Sequence, residues 1–253
     1  MKPLLLLTGG TGIVGQLLLP GLRLDYRLRI TSQTAPLPGV IEPGDELMVG
    51  DLRDAGFARH CVEESDVVIH LAANASPAAS AEEAMGNVDM AASLFDAAAD
   101  AGVGRTVVAS SVHASGMDYR DGAHGISPLA IPRPCCPYGA SKVAIEALAR
   151  LYQDAQGNAV SCLRLGLTGW ALVEQQYALT WLSTEDLIRL VRAALARPAG
   201  FGIYNAVSAD SATRWDTGNA LADLGWSPRD RWPVDVEQLP LAVSCPCQMF
   251  SIL

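Results

Sequence analysis

The sequence predicts an α/β fold, a doubly wound parallel sheet covered by helices on both faces and completed by a small C-terminal cap. Three observations predict it. Short segments rich in Leu, Val or Ile alternate with longer helical segments, a glycine-rich turn follows the first of them, and half of the 253 residues are hydrophobic. Strands covered on both faces are apolar throughout, and helical connections between strands make the sheet parallel.

The elements follow one another regularly through most of the chain. Strands are predicted at 3–8, 27–31, 46–49, 66–71, 105–110 and 159–165, and helices at 13–20, 54–61, 81–101, 138–156 and 184–197. Gly102 and Gly157 stand where helices should end. Residues 1–165 are expected to form the core, and residues 166–253 a cap and tail packed on it as one compact unit.

Composition and charge exclude several classes of protein. The net charge of −9 argues against a nucleic-acid partner, and no apolar run reaches the ~18 residues of a membrane-spanning helix. Four histidines and scattered acidic residues suggest no metal site. The pairs Cys135-Cys136 and Cys245-Pro246-Cys247 lack zinc-site spacing and are expected to be cytosolic thiols. Strand-like sequence from residue 3 leaves no room for a signal peptide, so a cytoplasmic location is expected.

A glycine-rich turn between the first strand and the first helix is the most informative motif. It reads Thr8-Gly9-Gly10-Thr11-Gly12-Ile13-Val14-Gly15. Gly9, Gly12 and Gly15 would let the backbone approach a pyrophosphate, which N–H groups at the helix start, near Ile13 and Val14, would bind. The motif predicts a dinucleotide site in the core, with an ordinary tight turn as the alternative.

Later strand ends supply further candidates for cofactor contacts. Ser32 ends the second strand, where an acid would bind the ribose 2′-hydroxyl of NAD and repel the phosphate of NADP. Because Ser32 lacks that charge, the cofactor is NAD(P), with NADP slightly favoured over NAD. Asp51 is a candidate for the adenine amino group or a helix N-cap, and Leu52 beside it is a further candidate for a cofactor contact. The remaining candidates lie at strand ends or in the following helices: Leu71, Ala72, Ala73, Asn87, Ala109 and Leu165.

Three residues at one edge of the predicted sheet indicate redox chemistry. Tyr138 and Lys142, four residues apart on a helix, share a face, where the ammonium favours the phenolate. Tyr138 would accept the alcohol proton as hydride leaves for the nicotinamide, or return it in ketone reduction. Ser111, at the end of the fifth strand, would hydrogen-bond the same substrate oxygen. Tyr138 and Lys142 would also contact the cofactor.

These motifs together resemble the extended short-chain dehydrogenase/reductase family, also described as the NAD-dependent epimerase/dehydratase family. The motifs that carry the resemblance fall in the family's order: Thr-Gly-x-x-Gly-x-x-Gly, Asp51-Leu52, His70-Leu71-Ala72-Ala73, Asn87, Ser111 and Tyr138-x-x-x-Lys142. Most of the chain is similar to bacterial uronate dehydrogenases, including Arg164-x-Gly166 and Leu224-Gly225-Trp226-x-Pro228. The resemblance implies a Rossmann-type fold whose cap binds a small-molecule substrate. It also implies a homodimer through helices 81–101 and 138–156.

The substrate positions depart from those of uronate dehydrogenases. By the resemblance they are Ala75, Ser111, Val112, His113, Tyr138, Leu167 and Gln176. Uronate dehydrogenases have serine where this chain has Ala75 and Leu167, and an arginine on the substrate carboxylate where it has Gln176. Without that arginine a buried carboxylate lacks its bidentate partner, which favours a neutral, less polar alcohol or ketone. Three other arginines could supply the charge instead: Arg120, Arg133 and Arg214.

The sequence therefore predicts an oxidoreductase that transfers hydride between NAD(P) and a secondary alcohol or ketone, or a sugar-like hydroxyl. An epimerase or dehydratase is an alternative, although Val112 and His113, not an acidic pair, follow Ser111. A uronate dehydrogenase with a substituted carboxylate contact is another. A non-catalytic redox sensor is a third, although such proteins commonly lose the Tyr or Lys that this chain keeps.

Overall fold

A seven-stranded parallel sheet organises the molecule in the computed structural model, which describes residues 2–241. The strands are β1 Leu4–Thr8, β2 Arg27–Ser32, β3 Glu46–Val49, β4 Val67–His70, β5 Arg105–Ser111, β6 Ala159–Leu165 and β7 Gly200–Ala206. Their order in the sheet is β3-β2-β1-β4-β5-β6-β7, and every neighbouring pair is parallel. The predicted doubly wound parallel fold is confirmed. The tail with Cys245 and Cys247 lies outside the described residues.

Helices connect the strands. They are α1 Ile13–Asp25, α2 Ala55–Val62, α3 Ala81–Asp100, α4 Gly116–Arg120, α5 Pro137–Gln156, α6 Gln175–Ala178, α7 Thr184–Ala196 and α8 Gly218–Leu224. Short 3₁₀ helices occupy Val112–Ser115, Ser211–Thr213 and Val236–Gln238. None of the described helices is long and apolar enough to cross a membrane.

Alternating side chains of the central strands divide the core between the two faces of the sheet. Leu5 and Leu7 of β1 pack with α1 and α7, whereas Leu6 packs with α2 and α3 on the opposite face. All three side chains are fully buried, and each contributes about 1.5–3 kcal/mol of transfer free energy. A further cluster joins α5 to β5 and β6. Helices therefore pack against both faces of the sheet.

The order of strands places the ligand crevice. The chain winds outward from β1 in one direction and from β4 in the other, so the helices after these two strands lie on opposite faces. In such sheets the crevice at the carboxyl ends of the strands, at the point of reversal, binds ligands. The glycine turn after β1 and the loop after β4 lie at this point.

Three parts of the element prediction differ from the structure. Helix α1 continues past the predicted end at residue 20 to Asp25, with Pro20 inside it and exposed. Strand β7 is absent from the prediction, and so are the helices α4, α6 and α8. Strand β7 lies within the predicted cap region, 166–253, and pairs with β6 along its whole length, while α7 of the same region packs in the core cluster on one face of the sheet.

Candidate active site

The glycine turn fits a pyrophosphate. Gly9 has a φ of +65°, and a Cβ there would lie 2.8 Å from the backbone of Ala72, while one on Gly15 would lie 2.3 Å from the carbonyl oxygen of Gly10. Side chains are thus excluded from the turn. Helix α1 begins at Ile13 after Gly12 as its N-cap residue, and no side chain of the described residues caps it. Its first N–H groups, including those of Ile13 and Val14, remain available to an anionic ligand.

Ser32 and Asp51 stand beside this turn in different settings. Ser32 is partly exposed at the end of β2, and its Oγ accepts a hydrogen bond of 2.9 Å from the Thr11 hydroxyl. Asp51 pairs with Arg53, whose hydrogen bonds keep the pKa of that carboxyl below its usual value. Asp51 does not cap α2, because Asp54 accepts the hydrogen bond from Phe57 N. Leu52 beside it is buried.

The loop after β4 is tied to β1. The Thr8 hydroxyl accepts from the backbone N–H groups of Leu71 and Ala72, and its Oγ1 shares a 2.8 Å hydrogen bond with His70 Nδ1. Burial, together with the nearby charge of Lys142, lowers the pKa of His70 to about 3. His70 is therefore a neutral link between strands. Ala72 and Ala73 are only partly buried, and the backbone of Ala72 lies against Gly9.

Asn87 connects this loop to helix α5. Its side chain is fully buried, so the alternative of an exposed polar residue is excluded. Oδ1 accepts from Asn74 N at 2.8 Å, and Nδ2 donates to Asn74 O at 3.1 Å and to Ser141 Oγ at 3.4 Å. Asn87 thus fixes the backbone after Ala73 against α5.

Ser111, Tyr138 and Lys142 meet at the carboxyl end of β5. All three side chains are buried, and Lys142 Nζ lies 5.6 Å from the centre of the Tyr138 ring. Burial raises the pKa of Tyr138 to about 12, although its hydrogen bond with Ser111 lowers it. Burial also lowers the pKa of Lys142 to about 8, against the opposing charge of Glu146. Lys142 Nζ donates a 2.8 Å hydrogen bond to the carbonyl oxygen of Ala109.

A buried polar network that sequence reasoning missed lies beneath these residues. Arg164 of β6 forms two 2.8 Å hydrogen bonds with Glu146 of α5, and both side chains are almost completely buried. Ser110 Oγ donates to Glu146 Oε1 at 2.5 Å, and Arg164 Nη1 donates to Ser115 Oγ at 2.9 Å. The network joins β5, β6, α5 and the 3₁₀ helix Val112–Ser115, which between them carry the catalytic candidates. The sequence does not reveal this network, because its residues come together only in the folded chain.

The predicted substrate positions lie on several segments beyond the strand ends. Val112 is buried, and the ring of His113 packs edge-on against that of Tyr138, with 5.7 Å between centres. Ala75 is exposed in the loop after β4, and Leu167 exchanges backbone hydrogen bonds with Thr180 and Leu182. Gln176 lies on α6, where its side chain donates to Glu174. Leu165, a predicted cofactor contact, ends β6 opposite Ser111.

The structure places the side chains of two cysteines beside His113, whereas the sequence suggested no metal site. His113 Nδ1 lies 3.2 Å from Cys135 Sγ and 3.6 Å from Cys136 Sγ. Burial lowers the pKa of His113, but hydrogen bonds to the two sulfur atoms outweigh burial and raise it to about 10. Sequence reasoning missed this cluster because 21 residues separate His113 from the nearer cysteine and only the fold joins them.

Comparison with known proteins identifies the family of this chain. Residues 5–168 match the family model described as the NAD dependent epimerase/dehydratase family. The chain belongs to this family. It is 31% identical to a uronate dehydrogenase of Pseudomonas putida, over 94% of this chain and 90% of that protein. It is 30% identical to an NAD-dependent glucose-6-phosphate dehydrogenase of Haloferax volcanii, over 89% of this chain and 92% of that protein.

A solved structure of a uronate dehydrogenase is also similar to this chain. It is a variant of uronate dehydrogenase from Agrobacterium tumefaciens complexed with NAD, with a TM-score of 0.80 and 28% identity, covering 91% of this chain and 86% of that one. The resemblance and the Rossmann-type fold predicted from the motifs are confirmed. This member of the family is an enzyme of the NAD-dependent dehydrogenase class.

Proposed function

We propose that this enzyme transfers hydride between a nicotinamide cofactor and a secondary alcohol or ketone of a small, sugar-like molecule. The observation that carries the proposal is the convergence of Ser111, Tyr138 and Lys142 at the end of β5. They lie on the carboxyl edge of the sheet that also holds the glycine turn, whose helix start lacks a side-chain cap. The same edge thus offers a place for the cofactor and a group that moves a proton.

Each of the three residues has a distinct role in this proposal. When bound, the nicotinamide ring accepts or gives up the hydride at its C4 atom. Tyr138 holds the proton. Its pKa of about 12 keeps it a neutral phenol, which donates to the oxygen of a ketone as that oxygen gains charge. Ser111 donates a hydrogen bond to the same oxygen. Lys142 places a positive charge near the phenol and lowers the cost of the phenolate that oxidation requires.

The charges around Gln176 support a neutral substrate. By the resemblance, uronate dehydrogenases have an arginine at the position of Gln176. In this chain Gln176 Nε2 donates a hydrogen bond of 3.1 Å to the Glu174 carboxylate. A substrate carboxylate would meet a like charge at this point and find no bidentate partner. Arg133 is already paired with Asp118 and Asp121. We therefore infer a neutral sugar-like alcohol as substrate.

Uronate oxidation is the second candidate, favoured by the relatives and by Arg214. Arg214 Nη2 donates to the carbonyl oxygen of Tyr119, whose hydroxyl donates to the carbonyl oxygen of Gln176. Arg214 Nε has no hydrogen-bond partner among the described residues. This guanidinium is the cation best placed to bind a carboxylate near Gln176.

A turnover assay separates the two candidates. Reduced nicotinamide is followed by absorbance with NAD and with NADP, using galacturonate and glucuronate beside galactose, glucose and simple secondary alcohols and ketones. We expect kcat/KM at least about tenfold higher for a neutral compound than for either uronate, a difference of ~1.4 kcal/mol. Efficient uronate oxidation that Arg214→Gln abolishes would establish the second candidate instead. Substrate conversion without net cofactor change would indicate an epimerase or dehydratase.

The role of Tyr138 is tested by removing one oxygen. Tyr138→Phe should lower kcat by about 10²–10⁴-fold, the usual contribution of a general acid or base, while cofactor binding stays within a few-fold. Tyr152→Phe on the same helix is the matched control, because Tyr152 bonds to Asp96 away from the strand ends. Near-normal activity of Tyr138→Phe would assign the proton transfer to another group.

Three further features belong to the proposal. The uncharged Ser32 supports a slight preference for NADP over NAD. An apolar stripe on α5 (Ala144, Ala147, Leu148 and Leu151) supports a homodimer through α3 and α5. The cytoplasmic location stays a prediction of the sequence.

A further inference from the structure

We propose that His113, Cys135 and Cys136 form a binding site for a thiophilic divalent cation, Zn²⁺, beside the catalytic tyrosine. The donors are one imidazole nitrogen and two sulfur atoms, all within 4.8 Å of one another. Nitrogen and sulfur are the ligands that Zn²⁺ prefers in proteins. Hydride transfer by Tyr138 does not need this ion, so the two proposals stand or fall separately.

The distances from the imidazole nitrogen to the two sulfur atoms match a zinc coordination sphere. Zn–N bonds of ~2.0–2.1 Å and Zn–S bonds of ~2.3 Å at a tetrahedral angle place nitrogen and sulfur about 3.5 Å apart. His113 Nδ1 lies 3.2 Å from Cys135 Sγ and 3.6 Å from Cys136 Sγ. Both sulfur atoms therefore lie from the same imidazole nitrogen at about the separation that shared coordination of one ion requires. Binding at Nδ1 leaves Nε2 of His113 for other contacts.

Close backbone contacts position both sulfur atoms beside the imidazole of His113. Cys135 Sγ fills the space beside Gly116, where a Cβ would lie only 2.2 Å away. Gly139 brings the start of α5 against the 3₁₀ helix, since a Cβ there would lie 2.4 Å from the carbonyl oxygen of His113. Cys136 caps α5, and its Sγ accepts a hydrogen bond from Gly139 N. The positive end of the helix dipole favours a thiolate at this position.

The site links the two elements that carry the chemistry. His113 belongs to the 3₁₀ helix that follows Ser111, and the cysteines immediately precede the helix that carries Tyr138. A bound ion would fix the Ser111 and Tyr138 segments relative to each other. Three protein ligands leave a fourth position for water or another donor, as in open zinc sites.

Cobalt substitution tests the site directly. The protein, purified in reductant and chelator and then freed of both, is titrated with Co²⁺, whose thiolate-to-metal charge-transfer band and visible d–d bands report tetrahedral sulfur ligation. One Co²⁺ per chain should bind and be displaced by Zn²⁺, and Zn²⁺ should raise the melting temperature. His113→Asn should weaken zinc binding by more than the ~10–100-fold that loss of an outer-shell partner costs.

Two pairs of variants make the test specific. Cys135→Ser/Cys136→Ser should abolish the charge-transfer band, whereas Cys245→Ser/Cys247→Ser, which also removes two thiols, should keep it. Gly116→Ala retains all three ligands but should weaken binding by displacing the Cys135 side chain. Absence of the band in the wild type, its persistence without Cys135 and Cys136, or its loss in the Cys245/Cys247 control would overturn the proposal.

Discussion

The side chain at position 32 gives a direct test of cofactor choice. Ser32→Asp would place a carboxylate beside the adenosine ribose, where it can accept from the 2′-hydroxyl of NAD and repel the phosphate of NADP. We expect the ratio of kcat/KM for NAD to that for NADP to rise at least about tenfold, or ~1.4 kcal/mol. Ser32→Asn, which has a similar shape without the charge, is the control. An unchanged ratio would show that the ribose is recognised elsewhere.

Lys142 gives a prediction about pH and stability. Burial lowers its pKa from 10.5 to about 8, so the folded state binds fewer protons than the unfolded state between these values. Stability then rises with pH across this window, and the penalty for burying the ammonium is fully present below it. Relative to Lys142→Met, the free energy of unfolding of the wild type should rise by about 3 kcal/mol from pH 8 to pH 10.5. A constant difference in urea titrations would contradict the lowered pKa.

The catalytic candidates were accessible to sequence reasoning, but their supporting contacts were not. Tyr138 and Lys142 share a face of a helix, and Ser111 ends a strand, so periodicity and topology alone bring them together. Glu146 and Arg164 resemble ordinary charged positions until the fold pairs them. Adjacent cysteines on an extended segment would point to opposite sides. Only the packing of α5 on the 3₁₀ helix turns both toward His113.

The buried ion pair of Glu146 and Arg164 should make a large contribution to the free energy of unfolding, because it joins helix α5 to strand β6. Arg164→Met leaves the Glu146 carboxylate buried without its partner, which should cost about 3–5 kcal/mol of unfolding free energy. The double variant Glu146→Met/Arg164→Met removes both charges and should recover much of this loss. Urea denaturation is the measurement.

Arg150→Met supplies the matched control for that experiment. Arg150 pairs with Asp154 on the exposed side of the same helix, where an ion pair four residues apart is worth only ~0.3–0.5 kcal/mol. Similar losses for Arg150→Met and Arg164→Met would show that burial does not strengthen the inner pair.

Strands with a local apolar signal were easier to predict than the last strand of the sheet. Each of the first six contains at least two Leu, Val or Ile residues, and each starts and ends within one residue of the predicted position. Strand β7 begins Gly200-Phe201-Gly202, a pattern whose glycines argue against a strand. Helix α1 passes through Pro20 because that residue is exposed and the buried Leu18, Leu19 and Leu22 hold both sides of it. Packing therefore overrides the local signal in both cases.

The two long helices on one side of the sheet, α3 and α5, are the expected interface of a homodimer. Helices α3 and α5 pack against each other, and their outer faces retain exposed apolar side chains, including Met85 and Leu151. Small residues such as Ala144 and Ala147 on the α5 stripe would let a second copy approach closely. Tyr138 and Lys142 are buried on the same helix, so pairing of two copies would also hold these two candidate residues in place.

The dimer prediction is tested by a charge placed on that stripe. In solution the wild type should have a mass near twice the 26.7 kDa of one chain, measured by light scattering after gel filtration. Leu151→Glu should shift the mass to that of one chain, because a carboxylate without a partner is costly to bury at an apolar interface. Leu24→Glu on α1 introduces the same charge at a side chain of similar exposure, 67% against 61%, and should leave the dimer intact. A monomeric wild type, or a dimer that survives Leu151→Glu but not Leu24→Glu, would exclude α5 as the interface.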